Sequence, residues 1–97
     1  MLIIRDKILT SRLILGTGKY ADFELMQACH EAADTAMVTL AIRRIDLHAA
    51  QSSGILSYID RSRVQLLPNT AGCYTAEDAL TTARLARELL DTNLVKL

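Results

Sequence analysis

The stretch "TAMVTLAI", Thr35 to Ile42, is apolar and β-branched and carries no polar alternation. A strand with one wet face alternates, whereas a strand covered on both faces reads as a continuous apolar run. This stretch therefore predicts a buried strand of a parallel sheet, and its flanks are read from that. Upstream, "LIIRDKILTSRLIL" predicts two short strands, Leu2 to Ile4 and Arg12 to Leu15, with Asp6 and Lys7 at a turn. After "GTGKY", Asp22 is placed to cap a helix on which Phe23, Met26, Ala28, Cys29, Ala32 and Ala33 fall near helical spacing. Downstream, "RRIDLHAAQSSG" is a connection and "ILSYIDRS" a short helix. "VQLLPN" is the next strand, from Val64, which Pro68 is expected to end because proline cannot donate to the ladder. "NTAG" is a turn, and "TAEDALTTARLARELL" is the clearest helix. Thr75 and Asp78 form its capping box, and Ala79, Leu80, Ala83, Ala86, Leu89 and Leu90 line its apolar face. "NLVKL" starts a further strand.

Strand centres near residues 13, 38, 66 and 95 recur every 25 to 30 residues or so, the period of successive βαβ units. Two architectures fit this α/β pattern, a doubly wound sheet and a (β/α)₈ TIM barrel. In both, chemistry gathers at the carboxyl ends of the strands. The residues to weigh are Gly16 to Lys19, Arg43 to Asp46 and Asn69 to Gly72. A complete barrel takes about 250 residues. The 97 residues are therefore expected to form one partial domain, the first part of a larger protein, breaking off within the fourth strand.

With 51% apolar residues the chain has material for a packed core. Eleven basic and eleven acidic residues leave no net charge, so neither nucleic acid nor an anionic membrane is indicated as a partner. "RDK" and "IRR" are too short to form a basic patch. Cys29 and Cys73 are far apart, and neither His30 nor His48 shares a helix face with them. No metal site and no disulfide framework are expected. Cys29 reads as a small hydrophobe, and Cys73, in a polar turn, lacks a nearby base that would make it a nucleophile. The N-terminus is too charged for a signal peptide, and no apolar run approaches a membrane span. A soluble protein of a reducing cytoplasm is the expectation.

Three readings of function arise from the residues. In "LILGTGKYADFE", Gly16, Gly18 and Ala21 fit G-x-G-x-x-A after a strand, and Arg43 and Arg44 follow the second strand. Together they describe an NADP-binding Rossmann-type domain of an oxidoreductase. Against it, Asp22 places the helix start beyond the glycine turn. The second reading begins at Lys96, between Val95 and Leu97 in a strand of buried type. A desolvated lysine there is a Schiff-base nucleophile, and the competing reading is a lysine that snorkels out of a terminal strand. The third is a non-catalytic module that associates through its open sheet edge.

"TSRLILGTGKY", "VTLAIRRIDL", "LLPNTAGCYTAEDA" and "LVKL" resemble, in order and spacing, the N-terminal portion of the bacterial thiazole synthase family of thiamine biosynthesis. The resemblance implies the first four strands and three helices of a (β/α)₈ TIM barrel. It implies condensation of 1-deoxy-D-xylulose 5-phosphate with dehydroglycine and sulfur, the sulfur carried as a thiocarboxylate on the C-terminus of a sulfur-carrier protein. No cofactor is implied, and the family's usual state is a homo-oligomer. Lys96 and Leu97 match the first two positions of the family's "KLE" motif, so Lys96 is the implied imine-forming lysine. The motif's glutamate and the later phosphate-binding turns have no counterpart in this sequence, and the 97 residues alone are expected to be inactive. Gly16, Thr17, Gly18, Arg44, Asp46, Asn69 and Thr70 lie in matching blocks and are candidates for the substrate rim. Gly16 and Gly18 are expected to supply backbone freedom to the first βα turn, with Lys19 a rim charge.

Overall fold

Local signals start both helices where the sequence places them. In the computed structural model, which describes residues 1–45 and 54–97, Asp22 Oδ1 accepts from the Leu25 N–H at 2.7 Å and opens α1 (Phe23–Ala33). Thr75 Oγ1 accepts from the Asp78 N–H at 3.1 Å and opens α2 (Ala76–Leu90). Each cap satisfies an amide that the first turn leaves without an intrahelical partner. Between the helices, the apolar run forms β4 (Met37–Ala41), and Gln65–Asn69 forms β5. Both run parallel to a two-residue strand β3 (Ile14–Leu15), in the sequential order β3-β4-β5.

Val38 and Leu40 of β4 share a face with Leu66 of β5, and all three pack into one buried cluster with Met26 of α1 and Ala86 and Leu90 of α2. Both helices thus cover the same face of the sheet. A doubly wound sheet distributes its helices over both faces. On the opposite face, Met37 is buried against Leu9, with Leu2, Ile4, Leu67 and Leu94 packed around them. The N-terminal residues supply this cover as a hairpin, β1 (Leu2–Ile4) and β2 (Lys7–Leu9), lying under the amino ends of the parallel strands. Among the described residues no helix is long and apolar enough to cross a membrane.

Several expectations need correction. Lys7 is not in a turn but begins β2; the turn is Arg5-Asp6, with Arg5 at φ 53°. A two-residue turn of this kind is signalled in sequence by glycine or asparagine, and here an arginine takes the left-handed position. β3 is accordingly shorter than Arg12–Leu15. Pro68 does not end β5 but sits inside it. Gln65 donates to Ala36 O at 2.9 Å on the β4 side, so Pro68, three residues on, turns its nitrogen away from β4 and removes no ladder bond there. Its carbonyl accepts from the Lys96 N–H at 2.9 Å.

"NLVKL" contributes one parallel bridge, Asn69 to Lys96, rather than a strand. On α2, Ala86 and Leu90 are buried, but Leu80 and Leu89 remain 51% and 37% exposed. The helix lays its alanine-rich side on the sheet, so the covered stripe is narrower than the apolar one. "ILSYIDRS" forms a single 3₁₀ turn, Ile55–Tyr58, whose apolar side chains pack against the main cluster. Asp46 and His48 lie outside the described residues.

Candidate functional site

Three segments meet at the carboxyl end of the sheet: the turn Gly16–Tyr20 after β3, the 3₁₀ turn Ile42–Arg44 after β4, and the turn Thr70–Cys73 after β5. On the face away from the helices, the side chains of Thr39 and Asn69 alternate with the buried Val38, Leu40 and Leu66. A line of hydrogen bonds joins them. Thr17 Oγ1–H donates to Thr39 O at 3.0 Å, and Asn69 Nδ2–H donates to Thr39 Oγ1 at 3.0 Å. Asn69 Oδ1 in turn accepts from the Ala71 N–H at 3.1 Å. The amide of Asn69 is thereby fixed in orientation across two strands and its own turn.

Lys96 is set beside this line by the backbone. Its N–H donates to Pro68 O at 2.9 Å and its carbonyl accepts from the Thr70 N–H at 3.2 Å, so it pairs in register with Asn69. Paired residues of parallel strands project to the same face. The structure therefore brings Thr17, Asn69, Thr70 and Lys96 to one end of the sheet, with Asn69 and Lys96 on one face. The lysine is exposed, as are its neighbours Val95 and Leu97, so the described residues do not supply the desolvation expected for a strand of buried type.

The glycine turn is built differently from the expectation. Neither Gly16 nor Gly18 has a positive φ; the left-handed residue of the turn is Lys19, at φ 69°. A Cβ at Gly16 would meet nothing within 4 Å, while one at Gly18 would come 2.7 Å from Arg44 Nη1. Gly18 is thus a floor under the Arg44 guanidinium, and backbone freedom is not its use. Arg43 takes the other direction and lies over Gly72, where a Cβ would be 3.2 Å from its Cδ. Gly72 does have a left-handed backbone, at φ 86°, which side chains disfavour. Arg44, Thr17, Gly18 and Lys19 border a cleft of about 210 Å³ whose inner wall includes Phe23 and Leu40.

One residue that the sequence reading left without a role holds this turn. His30 of α1 is buried, its Nε2 is 2.9 Å from Gly16 O, and its ring meets Tyr20 edge-on with centroids 5.7 Å apart. Its spacing from Met26 was the available signal: four residues on, it shares the core face. Cys73 is half-buried with Sγ 3.2 Å from Thr82 Oγ1, and Cys29 is half-buried on α1. Among the described residues no group of three or more His, Cys, Asp and Glu is placed to hold a metal.

The dinucleotide reading loses its physical basis. A pyrophosphate needs the free amides of a helix N-terminus. Here α1 starts at Phe23, beyond the turn, and the Asp22 carboxylate already occupies the Leu25 amide.

Comparison with known proteins agrees. The family model described as "Thiazole biosynthesis protein ThiG" matches residues 3–97. A thiazole synthase of Solibacter usitatus is 53% identical over 96 residues, covering 99% of this chain and 37% of the relative. One of Myxococcus xanthus is 56% identical over 88 residues, covering 91% of this chain and 34% of the relative. The chain thus spans little more than a third of the length of these relatives. An α/β chain with helices on one face of a parallel sheet, matched almost end to end, belongs to the ThiG family of thiazole biosynthesis proteins.

Proposed function

We propose that these 97 residues are the opening βα units of a thiazole synthase (β/α)₈ barrel and carry the lysine of its reaction. The observation that supports this most is the register of Lys96 with Asn69 at the carboxyl end of the sheet, on the face that a closed barrel turns inward. In the proposed reaction Lys96 Nζ attacks the ketone of 1-deoxy-D-xylulose 5-phosphate and water leaves, giving an imine. The iminium withdraws electrons from the adjacent carbon, so its proton is lost and tautomerisation moves the carbonyl along the chain. Sulfur then enters from the thiocarboxylate of a sulfur-carrier protein, which leaves as a carboxylate carrying the displaced carbonyl oxygen, and dehydroglycine closes the ring with release of Lys96 and water to a thiazole phosphate carboxylate. Thr17, Asn69 and Thr70 border the path of the sugar, and Arg44 and Lys19 supply positive charge at the edge of the rim. A homo-oligomeric, cytoplasmic enzyme is part of the same reading.

The test uses a protein spanning the full length of the relatives. Incubation with the ketose phosphate and borohydride is expected to leave a reduced adduct that peptide mass spectrometry places on Lys96, and Lys96→Ala is expected to abolish it. An adduct on Lys19, or none, would overturn the assignment.

A further inference from the structure

We propose that His30 is a positioning residue for the rim: its Nε2–H holds the Gly16 carbonyl and so fixes the turn that carries Thr17 onto Thr39, beside the Asn69–Lys96 pair. The inference rests on the proposed function for the identity of that rim.

Besides His30, the described residues hold the turn Gly16–Tyr20 by one further side-chain hydrogen bond, Thr17 to Thr39 O. It follows a strand of two residues that pairs with β4 alone among the described residues. A side chain at Gly16 would touch nothing within 4 Å, so packing does not locate that residue. His30 grips the turn at both ends, by the hydrogen bond to Gly16 O at 2.9 Å and by the edge-on contact with Tyr20. It is itself 6% exposed and one turn of α1 beyond Met26, which is fully buried, so the grip is referred to the main core. Thr17, the next residue, then reaches Thr39 O at 3.0 Å, and Thr39 Oγ1 accepts from Asn69. One buried ring is thus connected to the Asn69–Lys96 pair through three hydrogen bonds.

The geometry also fixes where the proton sits. A carbonyl oxygen can only accept, so Nε2 carries the hydrogen whether the ring is neutral or charged. On its other side His30 borders a cleft of about 480 Å³ that also carries Glu31, Asp34, Asp60 and Arg63. A turn whose hold on the helix is one core donor loosens when that donor goes, whereas the helix, whose anchor is apolar, stays in place.

The test compares His30→Leu, which keeps bulk and removes the donor, with His30→Gln, whose amide N–H reaches the same region. In this chain, histidine ¹⁵N spectra are expected to show hydrogen on Nε2 of His30. Backbone order parameters of Thr17 to Lys19 are expected near the rigid value of about 0.85, to fall below about 0.6 in His30→Leu, and to be retained in His30→Gln. In the full-length protein, adduct formation at Lys96 is expected to need about tenfold more ketose phosphate in His30→Leu, the size of one hydrogen bond, with the rate at saturation little changed. Hydrogen on Nδ1 alone, or a turn equally ordered in all three proteins, would overturn the role of His30. If His30→Leu does not fold, the ring tautomer and the His30→Gln order parameters decide. Absence of any adduct in the unsubstituted protein would overturn the proposed function, while the spectra would still decide the hold on the turn.

Discussion

The turn after β3 and the turn after β5 flank the β4 turn at the rim, each with an arginine of the β4 turn laid over one of its glycines. They are held by different means. The β5 turn is organised by its own residues: Asn69 Oδ1 accepts from Ala71 N–H, Cys73 N–H donates to Thr70 O, and Gly72 takes the left-handed conformation. The β3 turn is organised from a distance, by His30 fourteen residues downstream and by Thr39 of the next strand. A local turn forms with its chain segment. A turn held by long-range contacts exists only once the helix has docked.

The largest effects should come from the one core cluster that both helices bury. Met26 and Leu90 are both fully buried, one on each helix. Met26→Ala and Leu90→Ala are each expected to cost about 2–5 kcal/mol in denaturant unfolding. A loss below about 1 kcal/mol for Met26→Ala would show that α1 is held by its turn instead of its apolar face.

The next comparison sets glycine against glycine. Gly72→Ala forces a Cβ into left-handed backbone beside Arg43 and is expected to cost about 1–2 kcal/mol. Gly16→Ala meets open space and no positive φ, and is expected to stay within about 0.5 kcal/mol of the parent. The reverse order in the same melts would break the distinction between a local and a remotely held turn.

The helix caps should behave alike in the two halves. Asp22→Ala and Thr75→Ala each remove one side-chain acceptor and are expected to cost about 1 kcal/mol apiece. An Asp22→Ala cost near zero would mean that the β3 turn, and not the cap, sets the start of α1.

The smallest effect is a pH dependence before β5. Ser62 Oγ–H and N–H both donate to Asp60 Oδ1, at 2.6 and 3.0 Å, and hold this exposed carboxyl below its usual range. The anion is favoured in the folded state. Its contribution is therefore present above the unfolded carboxyl value of about 4 and is lost as pH falls through the lowered folded value. Unfolding midpoints taken from pH 6 down to pH 2 should show a steeper acid limb in the parent than in Asp60→Asn. Parallel limbs would remove Asp60 from the acid response.

The same difference between local and remote support explains what could be read from the residues. Both caps, the buried β4 run and the β5 turn come from neighbours within a few positions, and they stand where the residues predict. Pro68 was misread because its effect depends on which side of β5 its nitrogen faces, and only the pairing partner settles that. Lys7 was misread because a left-handed arginine carries no turn signature. The lysine at the end of the chain was legible as an anomaly, but its alignment with Asn69 is a matter of register. His30 had no reading beyond the absence of a metal site: its spacing from Met26 puts it on the core face, but its acceptor is a backbone carbonyl, which leaves no trace in side-chain identity.

By itself, the sequence determined the parallel α/β order, the helix starts and the family, because these follow from periodicity, short-range hydrogen bonding and matched blocks. The tertiary structure alone decided that both helices share one face and that Arg43 and Arg44 part to cover two different turns. It also decided that an imidazole from the core holds the first of those turns. Each of these depends on groups brought together by docking, and the distance between them along the chain hides the contact until the sheet has formed.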